Sequence, residues 1–153
     1  MIEIIKSDIF ECKCDGIAHQ VNCRGVWGAG LAKEIKKRFP RAFKVDSMTL
    51  VNNPKKLGTF NYAAPNEDQD KWIFNLAGQF NYGRSKVYTD YNALYRSLES
   101  LKDFILKMNF VDFVLAIPSG MGAGLGGGDW NKILAIINLV FKHESIKVLI
   151  CQK

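Results

Sequence analysis

The chain has 153 residues, of which 48% are hydrophobic and 24% charged, and its formal net charge is +6 at pH 7. This length and composition are those of a globular protein with one domain and a buried core of useful size. No apolar run approaches the roughly 18 residues of a membrane-spanning helix, and the first residues lack the layout of a cleavable signal. We therefore expect a single cytoplasmic domain, residues 1–153, with no membrane partner.

Cysteines and clustered cations are the two compositional features that could indicate a special function. The four cysteines are too few and too irregularly spaced for a disulfide scaffold, and Cys12-Lys13-Cys14 has no matching second pair that would complete a metal site. We predict reduced, mostly buried thiols, no metal and no cofactor. The positive charge is concentrated in one stretch, at Lys33, Lys36, Lys37, Arg38, Arg41 and Lys44. Such a cluster attracts polyanions such as RNA, but a solvated helix face explains it as well, and we favour that interpretation.

Apolar runs alternate with segments of helical periodicity along the chain, which favours an α/β fold with helices on both faces of a mixed sheet. The apolar runs predict strands at residues 2–6, 16–21, 58–64, 72–76, 111–117 and 146–151. The helical patterns predict helices over residues 29–39, from Thr89 or Asp90 onward, and from about Asp129 onward. Pro40 should end the first helix, so residues 46–50 either extend it beyond a break or form a separate turn. The expected fold is a three-layer α/β/α domain.

Two glycine-rich loops are the main functional signal, because each follows an apolar strand and precedes a helix. The first covers residues 22–32, with the sequence NCRGVWGAGLA, and the second covers residues 117–130, with the sequence IPSGMGAGLGGGDW. Outward-pointing backbone N–H groups and the helix dipole make such a junction a binding site for anions. In open α/β sheets, ligands bind at the carboxyl edge of the strands. The two loops therefore predict a pyrophosphate-binding site at that edge.

These loops, with Asp8-Ile9 just after the first strand, resemble the ligand-binding segments of the macrodomain family, which binds ADP-ribose. The resemblance covers essentially the whole chain, in the expected order. It implies a three-layer α/β/α macrodomain with a mixed central sheet, and a partner that is ADP-ribose, a derivative of it or an ADP-ribosylated macromolecule; nucleic acid is left open. The ligand-binding residues that it implies are Asp8, Ile9, Gly28, Ala29, Gly30, Leu31, Gln79, Pro118, Ser119, Gly120, Met121, Gly122, Ala123, Gly124 and Leu125.

Two polar residues should recognise defined parts of such a ligand. The Asp8 carboxylate is suited to accept from the exocyclic amine of adenine while the Ile9 N–H donates to the ring, although an aspartate after a strand often bonds its own turn. The family usually has glycine where Ser7 stands in this chain. The Asn22 amide can donate and accept together, which suits the vicinal hydroxyls of a ribose; its alternative role is to cap the turn.

Catalysis is assigned to His19, Asn22 and Asp90. The segment around His19 is similar to the macrodomain branch that removes the 1''-phosphate from ADP-ribose 1''-phosphate, in which a histidine precedes the asparagine at this spacing. Imidazole exchanges protons near neutrality, but a histidine in an apolar run is often a hydrogen-bonded core residue. His19 and Asn22 point to opposite faces of a regular strand, so both reach one ligand only if the strand ends or bulges near Val21. Asp90 either orients a water or the histidine, or caps a helix.

Two positions depart from the macrodomain branch that cleaves ADP-ribosyl esters with a lysine. That branch has a lysine where this chain has Gln79, and an aspartate where this chain has Gly126. Without the amine, a covalent Schiff-base route is not available. The function we expect is hydrolysis of ADP-ribose 1''-phosphate to ADP-ribose and phosphate. The alternatives are an ADP-ribosyl hydrolase that activates a water, or a reader that binds ADP-ribose without turnover.

Overall fold

A computed structural model describes all 153 residues and contains six strands and four α-helices. The strands are β1 (Ile2–Lys6), β2 (Gly16–Asn22), β3 (Phe60–Ala63), β4 (Trp72–Gln79), β5 (Val114–Pro118) and β6 (Lys147–Gln152). The helices are α1 (Gly30–Arg38), α2 (Pro40–Ser47), α3 (Tyr91–Lys107) and α4 (Trp130–Phe141), with a short 3₁₀ helix at Pro54–Lys56. All six predicted strands are present.

The strands form one mixed sheet in the order β1-β6-β5-β2-β4-β3. Neighbours run parallel, except that β3 is antiparallel to β4 across the polar turn at residues 65–70. Strands β1, β6, β5, β2 and β4 therefore all end at the same edge of the sheet. This topology brings the loop after β2 and the loop after β5 side by side, as the sequence predicted.

A hydrophobic core fills each face of the sheet, as expected for parallel strands that are covered on both sides. On one face, α3 and α4 contribute buried residues that include Leu98 and Ile137. On the other, α1 and α2 contribute Ile35 and Ala42. This arrangement confirms the predicted α/β/α layers. No helix combines the length and the apolar character that crossing a membrane would require.

The segment after Pro40 differs from the sequence-based prediction. We expected a break followed by an extension or a turn at residues 46–50, but Pro40 is the first residue of a separate helix, α2, which ends at Ser47. Proline suits that position, because the first helical N–H has no partner within the helix and the ring fixes φ near its helical value. The turn of the chain between α1 and α2 directs Asp46 into the protein interior, where its side chain is fully buried.

Two details of the strands position the ligand-facing residues. The register of β2 against β4 shifts between Val21 and Asn22, which is the irregularity that the spacing of His19 and Asn22 required. Strand β4 extends to Gln79, beyond its predicted end at Leu76. Gln79 therefore stands at the carboxyl edge of the sheet, next to the end of β2.

Candidate functional site

A pocket of about 1010 Å³ runs along the carboxyl edge of the sheet. Its size is at the upper end of the ~300–1,000 Å³ typical of ligand sites. The residues after β1 and β6 line one end of the pocket, and Gln20, Gln79 and residues 82–84 line the other. Both glycine-rich loops line the middle. The pocket is thus long enough to span the ends of five neighbouring strands, and it needs a ligand of extended shape to fill it.

The side chain of Asn22 organises the first loop. Its Oδ1 accepts from the backbone N–H groups of Arg24 (3.0 Å) and Val26 (3.1 Å), and its Nδ2 donates to the Val26 carbonyl (2.8 Å). Asn22 therefore caps the turn, which is the alternative role that the sequence left open for it. The bonds use both the oxygen and the nitrogen of its side-chain amide. Asn22 also lines the pocket, so it acts on a ligand at least by shaping the loop.

The first loop leaves backbone donors free at the start of α1. The N–H groups of Gly28 and Ala29 make no hydrogen bond within the protein, and Ala29, at the N-cap of α1, provides no side-chain cap. Both residues, with Gly30 and Leu31, line the pocket. Free N–H groups at the positive end of a helix dipole attract anions.

The second loop is a row of backbone donors that faces the first. Its internal bonds use the N–H groups of Met121, Ala123, Gly127 and Gly128. The N–H groups without a partner in the protein are those of Gly120, Gly122, Gly124, Leu125 and Gly126. Successive free amides of this kind form a concave binding site for phosphate oxygens. A pyrophosphate between the two loops would satisfy donors from both.

A side-chain network closes the pocket at the β2–β4 end. The Nε2 of Gln20 donates to Gln79 Oε1 (2.7 Å) and to Thr89 Oγ1 (2.9 Å), and the Thr89 hydroxyl donates to the Gly122 carbonyl (2.7 Å). The network therefore links the ends of β2 and β4, and the segment just before α3, to the second loop. Sequence reasoning identified Gln79 but missed Gln20 and Thr89; a polar residue beside His19 in an otherwise apolar strand was the available signal. The exposed side chains of Tyr82 and Arg84 form the adjoining rim.

At the opposite end, Asp8 has the local bonds of a turn residue and a cation beside it. Its Oδ1 accepts from the Phe10 N–H at 2.9 Å, and its Oδ2 lies 3.3 Å from the Lys153 ammonium. The Phe10 N–H, more than Lys153, holds the pKa of this carboxyl below its ordinary value. Asp8 is thus an ionised acceptor on the pocket wall, with lone pairs left for a ligand donor. Burial raises the pKa of the neighbouring Cys151 to about 12, so that thiol is protonated at neutral pH.

His19 lies deep below the first loop. The residue is 2% exposed, its Nε2 is 2.7 Å from Asn75 Oδ1, and its ring meets the Trp27 ring edge-on at 4.9 Å between centroids. The ring also borders the pocket. Burial lowers the pKa of His19 to about 4, so at neutral pH the imidazole is uncharged. His19 is therefore a hydrogen-bonded core residue that reaches the pocket wall; its part in catalysis stays a prediction.

Two predicted site residues lie outside the pocket lining, and Gly126, which replaces the aspartate of the lysine-dependent branch, is fixed by packing. Asp90 and Ala123 do not line the pocket, and the Asp90 carboxylate accepts from the Ala93 N–H as the N-cap of α3. Gly126 has no room for a side chain, because a Cβ there would lie 2.7 Å from both the Gly122 carbonyl and the Thr89 hydroxyl. The packing of the second loop thus requires glycine at position 126, where the lysine-dependent branch has aspartate. No three His, Cys, Asp or Glu side chains are grouped as metal ligands.

Comparison with known proteins agrees with this architecture. A family model described as Macro domain matches residues 18–137. The chain is 32% identical over 152 residues to the ADP-ribose glycohydrolase OARD1 of Homo sapiens, which covers 97% of this chain and 90% of that protein. It is 33% identical over 167 residues to the ADP-ribose 1''-phosphate phosphatase of Debaryomyces hansenii, with 90% and 93% covered. The macrodomain of Thermus aquaticus DarG superposes with a TM-score of 0.82 at 20% identity, over 100% of this chain and 99% of that one. The chain belongs to the macrodomain family.

Proposed function

We propose that the pocket binds ADP-ribose derivatives and hydrolyses them. The observation that carries this proposal is the two facing rows of free backbone N–H groups: those of Gly28 and Ala29 in the first loop, and in the second those of Gly120, Gly122, Gly124, Leu125 and Gly126. A diphosphate accepts from both rows at once, and its two ends then extend toward Asp8 and toward Gln79. The names of the human and Debaryomyces relatives, both hydrolases of ADP-ribose compounds, support the same substrate class.

Within that class, we propose ADP-ribose 1''-phosphate as the substrate, with ADP-ribose and inorganic phosphate as products. Water attacks the terminal phosphorus, the bond from phosphorus to the C1'' oxygen breaks, and that oxygen takes up a proton. The β2–β4 end of the pocket provides the amides of Gln20 and Gln79 and, on its rim, the guanidinium of Arg84. A cation at this end suits a terminal phosphate, and arginine presents donors that match phosphate oxygens.

The second candidate is removal of ADP-ribose from a modified macromolecule by an activated water, as the human relative's name suggests. The chain offers no lysine at the β2–β4 end of the pocket: Gln79 is there, and its amide is bonded to Gln20 and to the Asn81 carbonyl. A covalent route through an amine is therefore not proposed. A macrodomain that only binds ADP-ribose would have the same diphosphate site but would release no product.

The test is a direct comparison of substrates. We expect ADP-ribose to bind with a micromolar dissociation constant, which is a binding free energy on the order of −8 kcal/mol. We expect ADP-ribose 1''-phosphate to release phosphate faster with the protein than in buffer alone. ADP-ribosylated protein and ADP-ribosylated nucleic acid are assayed in parallel for release of ADP-ribose. Release from either macromolecule with no phosphate release would favour the second candidate. Binding without any product would leave the reader.

Replacing Asp8 by alanine tests which end of the ligand binds beside β1. We expect ADP-ribose affinity to fall by about tenfold or more, because a hydrogen bond to a charged acceptor is lost, whereas ribose 5-phosphate, which has no adenine, should bind as before. Calorimetry with both ligands measures the two losses. Lys153→Met is the matched control, since it removes the cation next to Asp8 and keeps the acceptor. Equal losses for both ligands in Asp8→Ala would show that Asp8 supports the fold and does not contact the base.

A further inference from the structure

A chain of buried polar side chains connects His19 to an ion pair on the far side of the first loop. Lys56 Nζ lies 2.7 Å from Asp46 Oδ1, and both side chains are fully buried. Asn61 Nδ2 donates to the same carboxylate oxygen at 2.9 Å, Asn75 Nδ2 donates to Asn61 Oδ1 at 2.7 Å, and Asn75 Oδ1 faces His19 Nε2 at 2.7 Å. The five side chains come from five different elements, and His19, at one end of the chain, borders the pocket. We call these residues the buried relay.

The directions of the hydrogen bonds in the buried relay are fixed at two independent points. A carboxylate paired with an ammonium only accepts, so Asn61 must point its Nδ2 at Asp46 and its Oδ1 at Asn75. A backbone carbonyl also only accepts, and Asn75 lies 3.0 Å from the carbonyl of Ala42. Both constraints require the Nδ2 of Asn75 to face Asn61 and Ala42. The oxygen of Asn75 is then the atom that faces His19.

The protonation state of His19 follows from that orientation. An amide oxygen accepts and does not donate, so the hydrogen of the bond between Asn75 and His19 must be on Nε2. A neutral imidazole carries one N–H, which leaves Nδ1 as a bare acceptor. The Nδ1 atom is buried and has no hydrogen-bond partner in the protein, although the ring borders the pocket.

We propose that the buried relay fixes His19 as the neutral Nε2–H tautomer, so that its Nδ1 accepts a hydrogen bond from a hydroxyl of the distal ribose of the bound ligand. His19 is then a positioning residue at the β2–β4 end of the pocket, and it has no proton to give to a leaving oxygen from Nδ1. Its burial, which depresses the imidazole pKa, acts in the same direction. The ligand part of the proposal rests on the proposed function; the tautomer part does not.

The relay also connects this tautomer to the shape of the first loop. The indole N–H of Trp27, which belongs to that loop, donates to Asp46 Oδ2 at 3.0 Å, while the Trp27 ring packs edge-on against His19. One carboxylate therefore anchors both the loop over the histidine and the amide chain beneath it. The position of Nδ1 relative to the free donors of Gly28 and Ala29 is set by these bonds together.

Nuclear magnetic resonance of the imidazole nitrogens tests the tautomer in the wild-type protein. The chain has two histidines, His19 and His143, and His143 is exposed, so the buried ring is assigned by comparison with His143→Gln. At pH 7 we expect His19 to show a protonated Nε2 and an unprotonated Nδ1 without exchange between tautomers. A protonated Nδ1, or averaged signals for the two nitrogens, would overturn the proposal.

Titration with two ligands tests the hydroxyl donor. ADP-ribose should shift the Nδ1 signal in the direction of an accepted hydrogen bond, whereas ADP, which lacks the distal ribose, should leave it unchanged. An Nδ1 signal that stays unchanged when ADP-ribose is bound, or that shifts equally with ADP, would overturn the ligand part. If ADP-ribose did not bind at all, the proposed function would fail, and the tautomer result in the free protein would still stand or fall by itself.

A pair of variants measures the effect of Nδ1 on binding. Glutamine places an amide near the position of Nε2, so His19→Gln can keep the bond to Asn75 while it removes the Nδ1 acceptor. We expect ADP-ribose to bind about three- to tenfold more weakly, the effect of one neutral hydrogen bond, and ADP to bind with unchanged affinity. His143→Gln, the control for substituting a histidine, should bind both like wild type. A folded His19→Gln protein with equal losses for ADP-ribose and ADP would contradict a contact with the distal ribose.

Discussion

Gly124→Val is expected to abolish ADP-ribose binding, with a loss of at least about a hundredfold in affinity, while the protein remains folded. Gly124 lines the pocket, and a Cβ built on it meets no protein atom within 4 Å. Its side chain would therefore extend into the space that a diphosphate occupies between the two loops. The backbone at Gly124 does not have the positive φ that only glycine adopts readily, so the substitution should cost the fold little.

Gly122 gives the contrasting result and serves as the comparison for Gly124. Its φ is +77°, and a Cβ there would lie 3.0 Å from Gln20 Oε1 and 3.1 Å from Ile133 Cδ1. Gly122→Val should therefore lower the melting temperature as well as binding, because both the backbone and the packing are strained. Calorimetry and thermal unfolding of the two variants separate a blocked pocket from a damaged fold. Wild-type affinity in a folded Gly124→Val protein would show that the diphosphate does not lie along the second loop.

The glycine-rich loops could be predicted from the sequence because the signal is local. A strand, a run of glycines and a helix follow one another within about a dozen residues, and the sheet topology then fixes the edge on which both loops lie. The cap at Asp90 is local in the same way, and it is confirmed at the N-terminus of α3. The predicted start of the last helix near Asp129 is confirmed as well, with Asp129 as the N-cap of α4. Patterns of this kind need no knowledge of which distant residues meet.

The polar networks could not be predicted, because they join residues that are far apart in the chain. Gln20 bonds Gln79 and Thr89, which are 59 and 69 positions away. Asp46 follows the cationic stretch at residues 33–44, and Lys56 follows Lys55 in a polar turn, where charged side chains are usually solvated. Their burial depends on the turn at Pro40 and on the 3₁₀ helix at Pro54–Lys56. For His19, the apolar run around it indicated a buried residue. Its protonation state, however, depends on Asn75, its hydrogen-bond partner on β4.

Breaking the buried ion pair should cause the largest loss of stability of any single charge substitution in the chain. Lys56→Met keeps most of the volume of the lysine side chain and removes its charge, so the Asp46 carboxylate is left buried without its cation. The Lys56 ammonium also donates to the backbone carbonyl of Asp46 at 3.1 Å, and that bond is lost as well. Removing one partner of a buried pair typically costs about 3–5 kcal/mol, and we expect a loss in that range by urea unfolding.

An exposed pair in the same protein is the control. Lys147 Nζ lies 3.7 Å from Glu3 Oε2, with both side chains about half exposed, and such a pair contributes about 0–1 kcal/mol. Lys147→Met should therefore change the free energy of unfolding by no more than about 1 kcal/mol. A similar small change in Lys56→Met would mean that water reaches Asp46, and the buried pair would then not be an anchor of the fold.

The double substitution Lys56→Met with Asp46→Asn shows why the lysine matters. Asparagine removes the uncompensated charge, and its amide can still accept from Trp27 or from Asn61, so part of the lost stability should return. The recovery is measured as the difference in free energy of unfolding between the single and double variants.

Because Asp46 fixes Trp27 from one side and the amides leading to His19 from the other, the double variant should regain stability without regaining the full order of the first loop. ADP-ribose should then bind it more weakly than it binds wild type. Full recovery of both stability and affinity would show that the carboxylate is dispensable for the pocket.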